Sequence, residues 1–207
     1  MHSTFHIALG IIIASITHIF YPLNFWSYGF IVFCAFGVDF DIFLGRFLEE
    51  SNHRMFFTHS LIIPAVGLLM GFLFDWVWLI MGAISYLSHL IFDMVDWSIN
   101  LWYFQKIPVG LMLLWKKSGK IDIDKKMKEH KNPSWFFNKL YYSHFLIVFL
   151  EVLAFVTMIL LIFIYTIEFW YFLLAYFALF LIHMVDYFES KRRFHGHDPR
   201  FRQIRGN

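Results

Sequence analysis

Apolar stretches long enough to cross a lipid bilayer recur along this chain, and they constrain its fold more than any other feature. Hydrophobic residues make up 59% of the 207 residues, whereas a soluble domain usually contains about 45–50%. The period-two alternation of a membrane β-barrel strand is not visible, so we predict an all-α integral membrane bundle. About six stretches have the length of a transmembrane helix, at residues 5–21, 26–44, 57–74, 76–95, 144–167 and 169–188.

Lysine and arginine residues occur only in alternate connections between these predicted helices. Two lie between the second and third helices, nine lysines lie in residues 106–143, and six basic residues lie in the tail at 189–207. Basic residues accumulate in the cytoplasmic loops of membrane proteins. The distribution therefore predicts a multi-pass protein of the cell membrane, with six crossings and both the N- and C-termini in the cytoplasm.

The chain shows no internal repeat and no low-complexity linker, so we predict that residues 1–207 form a single membrane domain. Residues 1–105 form its four-helix part, 144–188 supply two further transmembrane helices, and 189–207 form a basic cytoplasmic tail. The segment 106–143 mixes lysines with aromatic residues; it either lies along the inner leaflet or forms a solvated loop. The single cysteine, Cys34, excludes an internal disulfide and a site built from several thiolates.

Ionisable side chains cluster at the predicted cytoplasmic ends of the first four helices. Such groups are costly within a bilayer and often mark a functional site. The topology derived from the basic loop residues places all of these groups at one membrane level. We therefore predict a site there, formed from His6, Asp39, Asp41, His53, Arg54, His59, His89, Asp93 and Asp96.

The spacing of these residues indicates how they can meet. His89 and Asp93 are four residues apart, so they share a helix face, and Asp96 extends that face. Asp39 and Asp41 are two residues apart and cannot share a helix face. Either the second helix ends or unwinds near them, or one of them supports a ligand without binding the metal itself. For His183 and Asp186 at the same level of the sixth helix, support of the site and helix-to-helix hydrogen bonding both remain open.

Imidazole and carboxylate groups without a thiolate suit a divalent metal such as Zn²⁺, with Mn²⁺ or Fe²⁺ as alternatives. The number of candidate ligands is sufficient for one or two ions. Arg54 is suited to hold a phosphate, because a guanidinium binds two oxygens at once, and Asp96 can orient a ligand or act as a general base. The predicted metal ligands are His6, Asp39, Asp41, His53, His59, His89 and Asp93.

Three blocks of this sequence resemble the YdjM-like family of membrane-bound metal-dependent hydrolases. They read Val38-Asp39-Phe40-Asp41, His53-Arg54-x3-Thr58-His59-Ser60-Leu61 and Tyr86-Leu87-Ser88-His89-Leu90-x2-Asp93. His6 matches the N-terminal histidine of the family, and the resemblance covers roughly residues 1–105. The second block of the family usually has two residues between arginine and threonine, whereas this chain has three. The resemblance implies a metal-dependent hydrolase in the membrane, and a looser similarity to zinc-dependent phospholipases C points to phosphoester chemistry.

We therefore expect a hydrolase that acts on a phosphoester of a lipid or lipid-linked substrate. Its expected partners are membrane lipids, and we expect no nucleic acid. The first alternative is a metal-ion or proton-coupled transporter that uses the same His/Asp cluster as a relay. The second is a haem-binding bundle, for which His89, His144 and His183 are the available axial ligands.

Overall fold

The structure, a computed structural model, describes residues 2–46, 54, 56–96, 98–103, 108–111, 113–114, 138–139 and 141–194. Within these residues, six α-helices have both ends described: α1 (Ser3–Phe20), α2 (Phe25–Phe36), α3 (Ile62–Leu73), α4 (Val77–Asp96), α5 (Phe145–Tyr165) and α6 (Phe172–Phe194). Residues 138–139 and 141–143 are helical as well. Shorter 3₁₀ segments cover Gly37–Arg46, Phe57–His59 and Ile167–Phe169. The predicted helical class is confirmed. One small antiparallel hairpin, Ile99–Asn100 with Pro108–Val109, was not predicted.

Four helices are long and apolar enough to cross a membrane: Ser3–Phe20, Val77–Asp96, Phe145–Tyr165 and the Phe172–Glu189 part of α6. Helices α2 and α3 are also apolar but contain 12 residues each. Among the described residues, four of the six predicted crossings are therefore helices long enough to span a membrane, which is consistent with a membrane bundle. Most of the lysine-rich segment at 106–143, and the tail beyond residue 194, lie outside the described residues.

The second predicted helix, 26–44, differs from its prediction. The α-helix ends at Phe36, and the chain continues as a 3₁₀ segment from Gly37 to Arg46. Residues two apart point about 160° away from each other in an α-helix but only about 120° in a 3₁₀ helix. The tighter winding therefore brings Asp39 and Asp41 closer to a common side. This agrees with the alternative in which the second helix ends or unwinds near these two residues.

The helix boundaries have local causes. The side chain of Asn24 caps α2 by accepting a hydrogen bond from the backbone N–H of Ser27 at 2.9 Å, an interaction that favours helix initiation. Asp75 adopts φ 53° between α3 and α4, a left-handed conformation that aspartate tolerates better than most residues. The short Asp75 turn keeps α3 and α4 antiparallel and in contact.

Helix α1 lies at the centre of the bundle and packs against α2, α4, α5 and α6. Its closest approach is to α2, where a Cβ on Gly10 would lie 2.8 Å from Cβ of Ala35 and 2.9 Å from the carbonyl oxygen of Val32. Backbone atoms cannot move aside as a side chain can. Gly10 therefore sets the distance between α1 and the part of α2 that leads into Asp39.

Successive helices run in opposite directions, so α1 begins and α6 ends at the same end of the bundle. The rings of His2 and His183 pack there, with centroids 4.8 Å apart. At the opposite end, Ser15 on α1 shares hydrogen bonds with Tyr28 (2.7 Å) and Thr166 (3.1 Å). The predicted site residues lie near His2, so we call this end of the bundle the site end. The end near Ser15 is called the far end.

We predict that Gly10→Ala destabilises the protein, because the added methyl group separates α1 from α2. Overpacking of this kind typically costs about 1–3 kcal/mol. Gly29→Ala is the matched control: it is also in a helix, and its Cβ would meet only the ring of Phe172, at 3.2 Å. Thermal unfolding in detergent, followed by tryptophan fluorescence, should give a lower midpoint for Gly10→Ala alone; equal midpoints would contradict the close packing.

Candidate metal centre

Four side chains from three segments of the chain converge at the site end. One ligand atom from each of Asp39, His59, His89 and Asp93 lies within 4.8 Å of the others, so the group can hold a metal ion. Asp39 comes from the 3₁₀ segment after α2, His59 from the turn before α3, and the last two from the end of α4. His59, His89 and Asp93 are fully buried, whereas the side chain of Asp39 is 16% exposed.

A hydrogen bond at Nδ1 of each imidazole fixes the ring so that Nε2 faces the centre. Nδ1 of His89 lies 2.7 Å from the carbonyl oxygen of Ala35; because a carbonyl can only accept, this nitrogen carries the proton. Nδ1 of His59 lies 2.9 Å from Oδ2 of Asp41 and donates to that carboxylate. In the neutral rings, both Nε2 atoms therefore present lone pairs to the centre, the arrangement that orients metal-binding histidines.

Four distances among the inward atoms come close to those around a tetrahedral ion, within a group whose ligand atoms all lie within 4.8 Å of one another. Nε2 of His59 and Nε2 of His89 are 3.4 Å apart. Oδ2 of Asp93 lies 3.6 Å and 3.5 Å from these two atoms, and Oδ1 of Asp39 lies 3.6 Å from Nε2 of His89. Ligands about 2.0–2.1 Å from a tetrahedral zinc are separated from one another by about 3.3–3.5 Å. Two facing lone pairs repel unless a cation lies between them, so the geometry favours a shared ion.

Arg54 contacts the same centre from the side of α4. Its Nε lies 3.1 Å from Oδ2 of Asp93, and a terminal nitrogen lies 3.4 Å from Oδ1 of Asp96. Burial opposes the charge on Arg54, but the carboxylates of Asp93 and Asp96 outweigh it and raise the pKa of the guanidinium above its ordinary value. Arg54 therefore stays charged, and Asp96 positions it.

The described part of the site is rich in acidic side chains. Four carboxylates surround it: Asp39, Asp41, Asp93 and Asp96. Within the described part of the chain, Arg54 is the guanidinium that contacts two of them directly. Buried carboxylates are stable when paired or when they coordinate metals. A divalent ion would supply charge where the two imidazole lone pairs already point.

The structure places the remaining predicted ligands around the four-residue group. Asp41 lies behind His59 and accepts its Nδ1 proton, so of the two alternatives for Asp41 the structure has the supporting one. His6 is fully buried; its Nε2 lies 3.2 Å from Oδ1 of Asp93 and its ring packs against His89, with centroids 3.9 Å apart. His6 thus contacts the opposite oxygen of Asp93 from the one that faces the centre. His53 lies outside the described residues.

Three further side chains complete the site, and the sequence analysis did not assign them a role. Ser3 donates a hydrogen bond to Oδ2 of Asp39 at 2.8 Å. Thr58 donates to Asp41, and the hydroxyl of Tyr86 donates to the carbonyl oxygen of Thr58. Thr58 and Tyr86 lie in the sequence blocks that contain His59 and His89, and this closeness in sequence could have marked them as site residues. No sequence feature marks Ser3 in this way.

A second polar cluster lies beside the site but is separate from the four-residue group. Thr4 donates to Glu151 of α5 at 3.0 Å, while His183 packs against the ring of His2. Asp186 accepts a hydrogen bond from Asn138 at 3.4 Å. These contacts of His183 and Asp186 are made with side chains outside the four-residue group and do not decide between the two alternatives for them.

Comparisons with protein-family models, with curated proteins and with solved structures find no match for this chain. Its function is therefore argued from the site itself.

We predict that Asp41→Asn weakens metal binding without abolishing it, because the substitution removes the charge behind His59 but leaves the four converging side chains. Loss of such a supporting group typically costs about 10–100-fold in metal affinity. Competition with a chelating dye measures the zinc affinity, with Asp186→Asn as the matched control. Unchanged affinity, or loss of binding as complete as that in His89→Ala, would show that Asp41 does not act through His59.

Proposed function

We propose that the protein is a membrane-embedded, metal-dependent hydrolase that cleaves a phosphoester of a lipid or lipid-linked substrate. The observation that carries this proposal is the pair of Nε2 atoms of His59 and His89, which face each other at 3.4 Å with both Nδ1 protons already donated elsewhere. Asp93 and Asp39 add two oxygen ligands to this pair. Catalytic zinc sites keep a position for water or substrate, so with all four side chains bound the ion would take water at a fifth position.

The membrane arrangement that we propose has six crossings. Besides the four full-length helices, α2 with its 3₁₀ continuation spans about 18 Å plus about 20 Å, enough for a hydrocarbon core of about 30 Å. The third crossing would combine α3 with the residues that precede it. The segregation of lysine and arginine among alternate connections supports a cytoplasmic location for the site end.

Within this arrangement each side chain has a distinct role. Asp39, His59, His89 and Asp93 would hold the metal, which we propose to be a single divalent ion, most simply zinc. When bound there, such an ion supplies Lewis acidity toward a phosphoryl oxygen and generates a nucleophile from water at neutral pH. The carbonyl of Ala35 fixes His89, and the carboxylate of Asp41 fixes His59.

Arg54 is the residue that would contact the phosphate. Its guanidinium already reaches the centre through Asp93 and is held on its other side by Asp96. An anionic substrate entering the centre would meet the positive charge of this guanidinium and compete with Asp93 for its N–H groups. The resemblance of the motif blocks to membrane-bound metal-dependent hydrolases and, more loosely, to zinc-dependent phospholipases C supports the same reaction class.

A transporter is the second candidate, and one observation favours it. Glu151 adds a carboxyl group in α5 at the level of Thr4 of α1, and Ser15, Tyr28 and Thr166 place further polar groups at the far end. Transport pathways need polar groups at several depths. In this case the four-residue group would bind a transported ion rather than a resident one.

The decisive experiment compares hydrolysis and transport in the same preparations. Full-length protein is stripped with a chelator, reloaded with zinc or manganese, and assayed on p-nitrophenyl phosphate, bis(p-nitrophenyl) phosphate and phosphatidate in mixed micelles. We expect metal-dependent hydrolysis that falls by at least about 100-fold in His89→Ala. His18→Gln, at the far end of the bundle where His18 contacts Glu168, should retain the wild-type rate.

Absence of hydrolysis in folded, metal-loaded protein would contradict the proposal. If proteoliposomes that contain the same protein then accumulate zinc, and His89→Ala abolishes that uptake, the transporter takes its place.

A further inference from the structure

Four large apolar side chains outside the six α-helices are exposed near the site end. Phe57 is 43% exposed, Trp102 49%, Tyr103 40% and Leu111 68%. The rings of Phe57 and Tyr103 meet edge to face, with centroids 5.6 Å apart. We call these four residues, three of them aromatic, the aromatic platform. Exposed apolar groups that lie close together need a partner surface.

The backbone around the platform is bonded in a way that tolerates a lipid environment. The hairpin pairs Ile99 with Val109 and Asn100 with Pro108. The N–H of Leu111 donates to the carbonyl of Met94 at 2.7 Å. Backbone groups at membrane depth must be satisfied internally, and these bonds satisfy groups of the hairpin and of the last turn of α4.

The hairpin is fixed beside the metal centre. It starts directly after α4, whose last turn carries Asp93, and Leu61 donates a backbone hydrogen bond to the carbonyl of Leu101 at 3.2 Å. Phe57 belongs to the same short turn as His59. The platform therefore lies next to the centre, beside the end of α4.

We propose that the aromatic platform inserts into the membrane interface at the site end and guides the acyl chains of the substrate toward the metal centre. Tryptophan and tyrosine are the side chains that concentrate at this boundary, and both are exposed here. The apolar surface also continues on α4, where Ile91 is 56% exposed. The occupant is thus lipid rather than a protein partner. The guiding role rests on the proposed hydrolase function, whereas the insertion does not.

Insertion is tested by the depth of spin labels in nanodiscs. The single native cysteine is removed by Cys34→Ala, and labels are placed at Trp102→Cys, at Phe149→Cys as the lipid control and at Arg192→Cys as the aqueous control. Phe149 is half-exposed within α5, and Arg192 is exposed near the end of α6. We expect the Trp102 label to be accessible to oxygen and shielded from a water-soluble nickel chelate, as at Phe149.

Accessibility to the nickel chelate equal to that at Arg192 would overturn the insertion. Shielding from both reagents would also overturn it, because the platform would then be covered by protein, either a second copy or another partner.

Guidance is tested by the Trp102→Ser/Tyr103→Ser variant with two substrates. We expect the preference for phosphatidate in vesicles over water-soluble p-nitrophenyl phosphate to fall about tenfold, through a higher KM for the lipid. An unchanged preference would overturn the guiding role. If the wild type hydrolyses neither substrate, the proposed function and the guidance fail together, while the label depths decide the insertion independently.

Discussion

Two imidazole rings whose Nε2 atoms lie 3.4 Å apart are the interaction on which the proposed site depends. Each ring is held from behind, His89 by the carbonyl of Ala35 and His59 by the carboxylate of Asp41. Because both Nδ1 atoms donate, both Nε2 atoms carry lone pairs in the neutral rings, and such a pair is stable at this distance when a metal ion or a proton lies between them. The metal proposal follows from that constraint.

The bundle explains how the rings reach this position. Gly10 lets α1 approach α2 closely, and this contact involves Ala35, the residue whose carbonyl fixes His89. The 3₁₀ segment then turns Asp39 and Asp41 to the centre, one toward His89 and the other toward His59. Packing at a glycine and orientation of a ligand are therefore parts of the same arrangement.

Much of this was predictable from sequence. Apolar length predicted helices, and the spacing of His89 and Asp93 predicted a shared face, since both depend on local geometry. The spacing of Asp39 and Asp41 gave an end of the second helix as one of two alternatives. Its position at Phe36 was not predicted, because 3₁₀ and α-helical stretches do not differ in apolar composition. The support of His89 by a backbone carbonyl was also invisible, since every residue has a carbonyl and only the tertiary fold selects the one at Ala35.

The hairpin after α4 shows a similar limit. Two-residue strands carry too few residues for an alternating pattern, and the pairing of Ile99 with Val109 joins residues ten apart. Its consequence, a cluster of exposed aromatic side chains beside His59, emerges only when the hairpin and the turn before α3 are brought together. The part of the site that would choose a substrate was therefore harder to predict than the part that would hold a metal.

The most direct test of the central claim is the metal content of the purified protein. Elemental mass spectrometry compares wild type with a His89→Ala/Asp93→Ala variant and with His18→Gln, each shown to be folded by size-exclusion chromatography. One divalent ion per chain in the wild type and in His18→Gln, and none in the double variant, is the predicted result. A folded wild type without metal, even after incubation with zinc and manganese, would contradict it and leave the facing rings joined by a proton.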